Sequence, residues 1–351
     1  MKFKNIQLLR AFLLSFVLFS CSESEPEEPK GAYEQGILIM NEGNFGTNDG
    51  EIYHLDPATQ ALKSNVFEAE NLRPFAGLLE DIVAAKGNLY LVSNTGKVEI
   101  VDAGTFKSIG AVSGGLDQPR SLEVVGSKLF ISDYGPYDAS YATPDSYVAV
   151  VDGLNGGLIS KKIKVSNKPE DLFAFGKYIF VAGSEEGKVE IIDAEKEEVI
   201  KVLEVDGHPA QFFEFNGTVW LYSIDDEEVY FQTFHLDNLT KATTNALPVS
   251  NATGRIAIGN NNLFYLITSS GWPDYADGVA RVSVLGPELD LDWMRGSGFY
   301  GIGYDRNRDE IYVANSNGFQ SNGRITVFDK EGMEIRSFDV GRGPSGFLFY
   351  N

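Results

Sequence analysis

The sequence predicts an all-β fold: a seven-bladed β-propeller closed by pairing of the C-terminal strand with the first blade. Three observations support this. A short strand motif recurs seven times, its copies end 41 to 50 residues apart, and the chain begins and ends on complementary parts of the repeat. Four strands per unit at this spacing is the period of a propeller blade. The 37 glycines and 12% aromatic residues agree with many turns joined by aromatic-rich strands.

The first element, residues 1–20, predicts a lipoprotein signal peptide. Lys2, Lys4 and Arg10 precede an apolar run that is too short to span a bilayer well and has the layout of a secretory signal. The run ends in LFSC at 18–21, which resembles a bacterial lipobox, and Cys21 is the only cysteine of the chain. We therefore expect lipidation at Cys21, and the alternative is a free, buried cysteine. A single cysteine also excludes an intrachain disulfide.

The second element, residues 21–36, predicts a lipidated cysteine followed by an acidic flexible tether. Residues 22–30 read SESEPEEPK, a polar stretch that cannot bury apolar surface. An acidic run directly behind the cysteine resembles the surface-export signal of Bacteroidetes lipoproteins. The resemblance implies an outer-membrane, lipid-anchored protein exposed at the cell surface. A spacer on a lipoprotein that faces the periplasm is the alternative.

The third element, residues 37–351, predicts the propeller itself. The recurring segment is an apolar third strand that usually ends at Asp, where the carboxylate suits the first position of a type I turn. Its seven copies occupy 50–56, 96–102, 146–152, 187–193, 231–237, 278–284 and 323–329.

The strands that flank this motif complete the repeat. Second strands such as NLYLVSN (88–94) are apolar on both faces, which predicts a sheet packed between two neighbouring sheets. First strands such as KPEDLFAFG (168–176) lie ten residues earlier, and 71–77 is expected as an inserted loop. The chain starts on a second strand and ends on a first strand at 343–350. The last strand should therefore pair with the first blade and remove the open edges.

Charge and composition exclude several functions. The net charge of −21, or −24 without residues 1–20, disfavours binding to nucleic acid and to anionic lipid headgroups. The sequence has three histidines and shows no catalytic triad order, phosphate loop or metal-ligand spacing. We therefore expect no metal, no cofactor, no catalytic residues and no enzymatic activity. The alternative is a lyase or glycosidase that uses the paired carboxylates Glu80/Asp81 and Glu170/Asp171.

Binding residues are expected where loops crowd the mouth of the propeller axis. These loops are rich in Tyr, Trp, Asn, Asp and Ser, which offer flat apolar area surrounded by hydrogen-bonding groups. The residue before the first apolar position of each first strand, which we call the inner ring position, also differs from blade to blade. This variation fits an asymmetric ligand better than an ion on the axis. The predicted ligand-binding residues are Arg73, Phe75, Asp81, Arg120, Tyr134, Tyr137, Tyr141, Asp171, Arg255, Trp272, Tyr275 and Phe319.

The segment IMNEGNFG at 39–46 resembles the start of the Bacteroidetes lipoprotein propellers related to YncE. This group includes the BtuG-type surface proteins, which capture cobalamin for an outer-membrane TonB-dependent transporter. The resemblance implies a non-enzymatic surface protein that binds a small molecule, with a corrinoid as the best-known ligand and a TonB-dependent transporter as the partner. A scaffold that contacts another protein through the same loops is a further alternative.

Overall fold

Seven four-stranded antiparallel sheets form a ring in the computed structural model, which describes residues 30–270 and 276–350. Each sheet is one blade. In blades 2 to 7 the four strands follow one another in chain order, and in blade 1 the last strand of the chain precedes the first three. The predicted all-β, seven-bladed propeller is confirmed.

The strands are numbered β1 to β28 in chain order. Blades 1 to 3 contain β1 Gly36–Asn41, β2 Glu51–Asp56, β3 Ala61–Lys63, β4 Leu79–Ala85, β5 Asn88–Ser93, β6 Lys97–Asp102, β7 Ser108–Ser113, β8 Pro119–Val125, β9 Lys128–Asp133, β10 Tyr147–Val151 and β11 Ile159–Lys164. Blades 4 to 7 contain β12 Pro169–Phe175, β13 Tyr178–Gly183, β14 Lys188–Asp193, β15 Glu198–Glu204, β16 His208–Phe215, β17 Thr218–Ile224, β18 Val229–His235, β19 Thr240–Leu247, β20 Ala252–Ile258, β21 Leu263–Ser269, β22 Asp277–Ser283, β23 Leu289–Gly296, β24 Phe299–Asp305, β25 Glu310–Asn315, β26 Arg324–Phe328 and β27 Glu334–Asp339. The final strand, β28 Pro344–Tyr350, belongs to blade 1.

The core lies between adjacent blades. The second strand β5 is buried on both faces, with Tyr90 at 0% exposure. Tyr90 packs in one cluster with Leu129 and Ile131 of the next blade. A fully buried side chain of this size contributes about 1.5–3 kcal/mol relative to an exposed one, so each blade depends on its neighbours for stability.

Pairing between β28 and β1 closes the ring. The antiparallel register runs from Gly36 opposite Tyr350 to Asn41 opposite Pro344. The closure continues beyond the strands, because the backbone nitrogen of Glu42 donates to the carbonyl oxygen of Gly343 at 2.8 Å. The predicted closure by the C-terminal strand is confirmed.

Several of the recurrent Asp residues cap turns, as the sequence predicts. Asp56 Oδ1 accepts a hydrogen bond from the backbone nitrogen of Ala58 at 2.8 Å. Asp102 Oδ1 accepts a hydrogen bond from the backbone nitrogen of Thr105, three residues on, at 2.8 Å. These carboxylates satisfy turn amides after the third strand.

The structure differs from the sequence-based expectation between blades 1 and 2. A short helix, α1 Val66–Asn71, follows β3, and the predicted loop at 71–77 begins at its last residue. The helix buries Phe67, and its ring makes an edge contact with the buried ring of Phe75 at 5.7 Å. The segment therefore fills the gap between two blades.

Packing against the propeller also begins before residue 37, the predicted domain start. Tyr33 is 3% exposed, and its ring contacts those of His54 and Phe106. The predicted signal peptide, Cys21 and most of the predicted tether lie outside the described residues. Within the described part of the chain, no helix has the length and apolar character needed to cross a membrane.

A shift of strand register in every innermost strand positions the site. In β4 the pairing moves between Leu79 and Asp81, and in β8 it moves between Pro119 and Leu122. Comparable shifts occur in β12, β16, β20, β24 and at the β1–β28 pair. Such a bulge breaks the alternation of side chains, so two successive residues can face the propeller axis.

Candidate ligand-binding site

A cavity of about 370 Å³ lies at the axis where the innermost strands of blades 2 to 7 begin. We call it the mouth cavity. Consecutive residues from the bulges line it: Glu80 and Asp81, Arg120 and Ser121, Glu170 and Asp171, Ala210 and Gln211, Thr253 to Arg255, and Phe299 and Tyr300. Blades 2 and 4 each contribute a Glu–Asp pair, whereas blades 3, 5, 6 and 7 contribute different residues, so the chemistry of the lining changes around the axis.

Arg120 connects three blades at the wall of this cavity. Its guanidinium bonds Glu80 Oε2 at 2.7 Å and Glu170 Oε1 at 3.1 Å, and it lies 5.0 Å from the ring centroid of Tyr134. The Tyr134 hydroxyl donates to Glu170 Oε2. The group forms a continuous chain of charge-assisted hydrogen bonds.

The two carboxyl groups beside Arg120 differ in proton affinity. Burial raises the pKa of Glu80 to about 7, although Arg120 opposes the shift. Burial also disfavours the charged form of Glu170, but Arg120 and Tyr134 outweigh it and hold its pKa below the ordinary value. Glu80 Oε1 and Arg120 Nε are buried and have no hydrogen-bond partner among the described residues. The wall therefore keeps unused hydrogen-bonding capacity.

Deeper in the mouth cavity, Ser121 lies between two buried carboxyl groups. Its Oγ is 3.2 Å from Asp81 Oδ2 and 3.1 Å from Asp171 Oδ1. Burial raises the pKa of Asp81 to about 6 and that of Asp171 to about 8, with the charge of Asp81 adding to the second shift. Because the serine hydroxyl has one proton, protonated Asp171 can donate to Ser121 while Ser121 donates to Asp81.

The opposite side of the cavity is basic and aromatic. The Arg255 guanidinium lies 5.3 Å from the ring centroid of Tyr300, and its Nη1 is 3.5 Å from the carbonyl oxygen of Ser345. The Tyr300 hydroxyl donates to Glu42, which follows β1. The ring of Phe319 packs edge-on against Tyr300 at 4.9 Å. The predicted residue Phe319 therefore packs against a residue of the cavity wall.

Exposed aromatic side chains belong to the loops between second and third strands. Tyr137 and Tyr141 are 57% and 81% exposed and make an edge contact with each other at 6.2 Å. Phe45 in the corresponding loop of blade 1 is 88% exposed. Predicted residues Trp272 and Tyr275 lie outside the described residues. The loops between second and third strands lie at the end of the propeller where the innermost strands begin.

The structure brings together part of the predicted residue set. Asp81, Arg120, Asp171 and Arg255 line the mouth cavity, and Tyr134 bonds to its wall. No group of three or more His, Cys, Asp or Glu side chains within the described ranges is arranged to hold a metal ion.

Two predicted residues lie away from the mouth cavity. Phe75 is fully buried between blades 1 and 2, because its ring completes the apolar core beside Phe67. Arg73 crosses the outer strands of blade 2, where it pairs with Glu99 and donates to Ser108 Oγ at 3.2 Å. Neither side chain lines the mouth cavity.

The predicted ligand-binding residues do not include four residues of the site: Glu42, Glu80, Glu170 and Tyr300. The sequence points to Glu80 and Glu170 only as paired carboxylates of the enzymatic alternative. Glu80, Glu170 and Tyr300 each directly precede a residue at the predicted inner ring position, as Arg120 does. Alignment of the first strands on that position could have identified them. Glu42 follows the second-strand motif of blade 1, and no comparable sequence pattern marks it as a site residue.

Comparison with solved structures agrees with the fold. The chain is similar to a quinonprotein alcohol dehydrogenase-like protein from Bacteroides thetaiotaomicron, with 15% identity, a TM-score of 0.67 and coverage of 91% of this chain and 79% of that one. It is similar to a functionally unknown protein from Desulfotomaculum acetoxidans, with 10% identity, a TM-score of 0.62 and coverage of 90% and 98%. For Kuenenia stuttgartiensis hydrazine synthase, the identity is 16%, the TM-score 0.60 and the coverage 76% and 88%.

At these identities the likeness shows a shared propeller architecture and nothing about activity. No curated protein matches the chain. A family model matches residues 35–349, which is nearly the whole propeller. The chain therefore belongs to the family described as Domain of unknown function (DUF5074).

Proposed function

We propose that this protein is a non-enzymatic binding protein that captures a small molecule at the mouth cavity. The observation that carries the proposal is the chemistry of the Arg120 wall, where Glu80 Oε1 and Arg120 Nε are buried without a hydrogen-bond partner among the described residues. Leaving such a group unpaired costs about 1–3 kcal/mol. A ligand with amide or hydroxyl groups would recover this free energy on binding.

The volume of the cavity limits what can enter it. About 370 Å³ is at the lower end of the range for small-molecule sites, so a larger ligand would insert one polar edge and leave its body outside. Tyr137 and Tyr141 are exposed on a loop of the same end and offer flat apolar surface for such a body. This combination favours a large amphipathic ligand with polar side groups.

A corrinoid has this chemistry, being a broad ring with amide side chains. We therefore propose a corrinoid as the first ligand to test, with delivery to a TonB-dependent outer-membrane transporter as the role. The proposal includes anchoring at the cell surface through lipid on Cys21, which would raise the effective concentration near such a partner.

Isothermal titration of the purified protein against cobalamin, haem and neutral oligosaccharides tests the ligand. We expect cobalamin to bind and Ala210→Trp, which fills the mouth cavity, to weaken binding at least about tenfold. Ala69→Trp, on the exposed face of α1, is the matched control and should bind normally. Circular dichroism checks that both variants fold. Absence of heat with all three ligand classes would refute the proposal.

Membrane fractionation tests the anchor. Cys21→Ser should move the protein from the outer-membrane fraction to the soluble fraction, because lipidation requires the thiol. Ser24→Ala should leave the distribution unchanged. A Cys21→Ser protein that stays with the outer membrane would contradict anchoring through this residue.

One observation favours an enzymatic alternative. Glu80 and Glu170 have pKa values displaced in opposite directions, which is a pattern found for general acid and base pairs. A lyase or glycosidase of this kind would consume an oligosaccharide. Product analysis after incubation with the same oligosaccharides separates it from binding, since Glu80→Gln would abolish turnover. A protein scaffold is the remaining candidate, and a partner that still binds Ala210→Trp through the rim would support it.

A further inference from the structure

A second cavity of about 300 Å³ adjoins the mouth cavity farther along the axis. We call it the lower cavity. Gln211 and Arg255 line both cavities, so they stand at the junction. The other walls come from blades 6, 7 and 1 and include the apolar residues Ile256, Ile302 and Phe347. The site is concave, combines polar groups with apolar side chains and has a cation at its inner end.

The Arg255 guanidinium differs from that of Arg120 in its ion-pair and hydrogen-bond partners. Arg120 bonds two carboxylates at 2.7 and 3.1 Å. Within residues 30–270 and 276–350, Arg255 has no carboxylate within ion-pair distance, and its side chain makes only a long hydrogen bond of 3.5 Å to the Ser345 carbonyl oxygen. Its remaining donors therefore have capacity for a further acceptor. A guanidinium presents five N–H donors in a planar arrangement that suits an oxyanion.

Arg255 keeps its charge across the accessible pH range. Burial opposes the charged form, but Tyr300, Glu42 and Glu170 outweigh it and raise the pKa of Arg255 above its ordinary value. The carboxyl groups that act on the charge of Arg255 are Glu42 and Glu170, and Glu170 is paired with Arg120. Arg306, another lining residue, adds a second positive group to the lower cavity.

We propose that the lower cavity binds a small organic carboxylate, with the oxyanion on Arg255 and the apolar part against Ile256, Ile302 and Phe347. The carboxylate would accept two N–H donors from the guanidinium. The apolar side chains of the lining favour an anion with an apolar body over a fully hydrated inorganic anion, which gains nothing from that surface. The inference goes beyond the proposed function, because it concerns the lower cavity and a different class of ligand, with Arg255 shared between the two cavities.

Titration of the unmodified protein tests the charge requirement. The probes are phenylacetate, its neutral analogue phenylacetamide and inorganic phosphate, each followed by calorimetry at pH 7. We expect phenylacetate to bind at least about tenfold more tightly than phenylacetamide or phosphate. Equal affinity for acid and amide would overturn the proposal, and so would phosphate binding as tightly as phenylacetate. These comparisons need no variant and do not depend on how a substitution folds.

A pair of variants then locates the site. Arg255→Leu should reduce phenylacetate affinity at least about tenfold, whereas Arg295→Leu, an exposed arginine on the outermost strand β23, should not. Unchanged phenylacetate affinity in a folded Arg255→Leu protein would overturn the assignment. Failure here is distinguishable from failure of the proposed function, since mouth ligands are scored with Ala210→Trp and carboxylates with Arg255→Leu.

Discussion

Glu80 and Arg120, on neighbouring blades, form an ion pair in which Glu80 Oε2 lies 2.7 Å from Arg120 Nη1. The Glu80 side chain is only 5% exposed, so the pair is largely removed from water. Arg120 also bonds Glu170 on the next blade at 3.1 Å. One guanidinium thus joins blades 2, 3 and 4 at the axis. Buried pairs of this type are costly to break, because the remaining charge has no partner.

We expect Arg120→Leu to lower the free energy of unfolding by about 2–4 kcal/mol at pH 7.5, since it leaves two carboxyl groups without their cation. Urea denaturation followed by fluorescence measures the change. Glu80→Gln should cost less, because burial raises the pKa of Glu80 to about 7 and the neutral form is already accessible. Arg295→Leu, at an exposed ion pair, should change stability by less than about 0.5 kcal/mol. Equal stability of Arg120→Leu and the unmodified protein would contradict the structural role of the pair.

The sequence predicted the blade order well, because strand patterning depends on local alternation and on burial of both faces. The motif GKVEIVD, for example, coincides with the third strand β6 Lys97–Asp102 and its capping carboxylate. Such features are encoded by consecutive residues. The register shift that turns both Glu80 and Asp81 toward the axis depends on pairing with β5. No single-strand pattern reveals that shift.

The differences between the expected and observed positions have related causes. The sequence predicts Phe75 at the mouth as part of an inserted loop, whereas its ring fills the apolar gap between blades 1 and 2. The insertion contains charged and aromatic residues, and sequence alone does not show which of them face the core. Tyr300 is absent from the predicted residues because the sequence pattern places the next residue, Gly301, at the inner ring position. The bulge that contains both residues also turns Tyr300 toward the axis.

Closure of the ring by β28 predicts that the C-terminal residues are required for cooperative folding. Deletion of 343–351 removes β28, the innermost strand of blade 1, together with the buried contacts of Phe347 and Phe349 on Tyr312. We expect the truncated chain to lose its cooperative thermal transition, as observed by circular dichroism, because β1 becomes an open edge beside an exposed core. Leu348→Val keeps the strand and should retain a single transition. Cooperative melting of the truncated chain at the normal temperature would refute closure as a requirement for folding.

The rim aromatic residues allow binding and stability to be separated. Because Tyr137 and Tyr141 are 57% and 81% exposed, replacing both with Ala should change the unfolding free energy by less than about 1 kcal/mol. Affinity for a mouth ligand should fall several-fold, since each ring offers contact area at low entropic cost. Leu158→Ala, at an exposed apolar residue in the loop between third and fourth strands, is the matched control. Unchanged affinity in the double variant would move the binding surface away from this loop.

Buried carboxyl groups also make stability depend on pH. Burial raises the pKa of Asp171 from 3.8 to about 8, so the folded protein binds this proton more tightly than the unfolded chain. The free energy of unfolding must therefore fall as pH rises between these two values. Glu51, Glu80, Asp81 and Glu123 are shifted in the same direction by burial, so they contribute to the same slope.

Asp171→Asn should reduce this slope without abolishing it. The neutral amide can still accept from the backbone nitrogen of Phe212 and donate to Ser121, as protonated Asp171 can. Between pH 5 and 8, the unfolding free energy of the variant should fall less than that of the unmodified protein. The difference between the two decreases should be at least about 1 kcal/mol, the energy of roughly one pKa unit. Urea denaturation across this range measures it. Asp206→Asn is the control, because Lys241 and Thr244 hold the pKa of Asp206 below its ordinary value and its titration lies outside the window. An identical slope in Asp171→Asn and the unmodified protein would show that Asp171 does not carry the excess proton, and the charge state of the mouth cavity would then have to be assigned to Asp81 or Glu80.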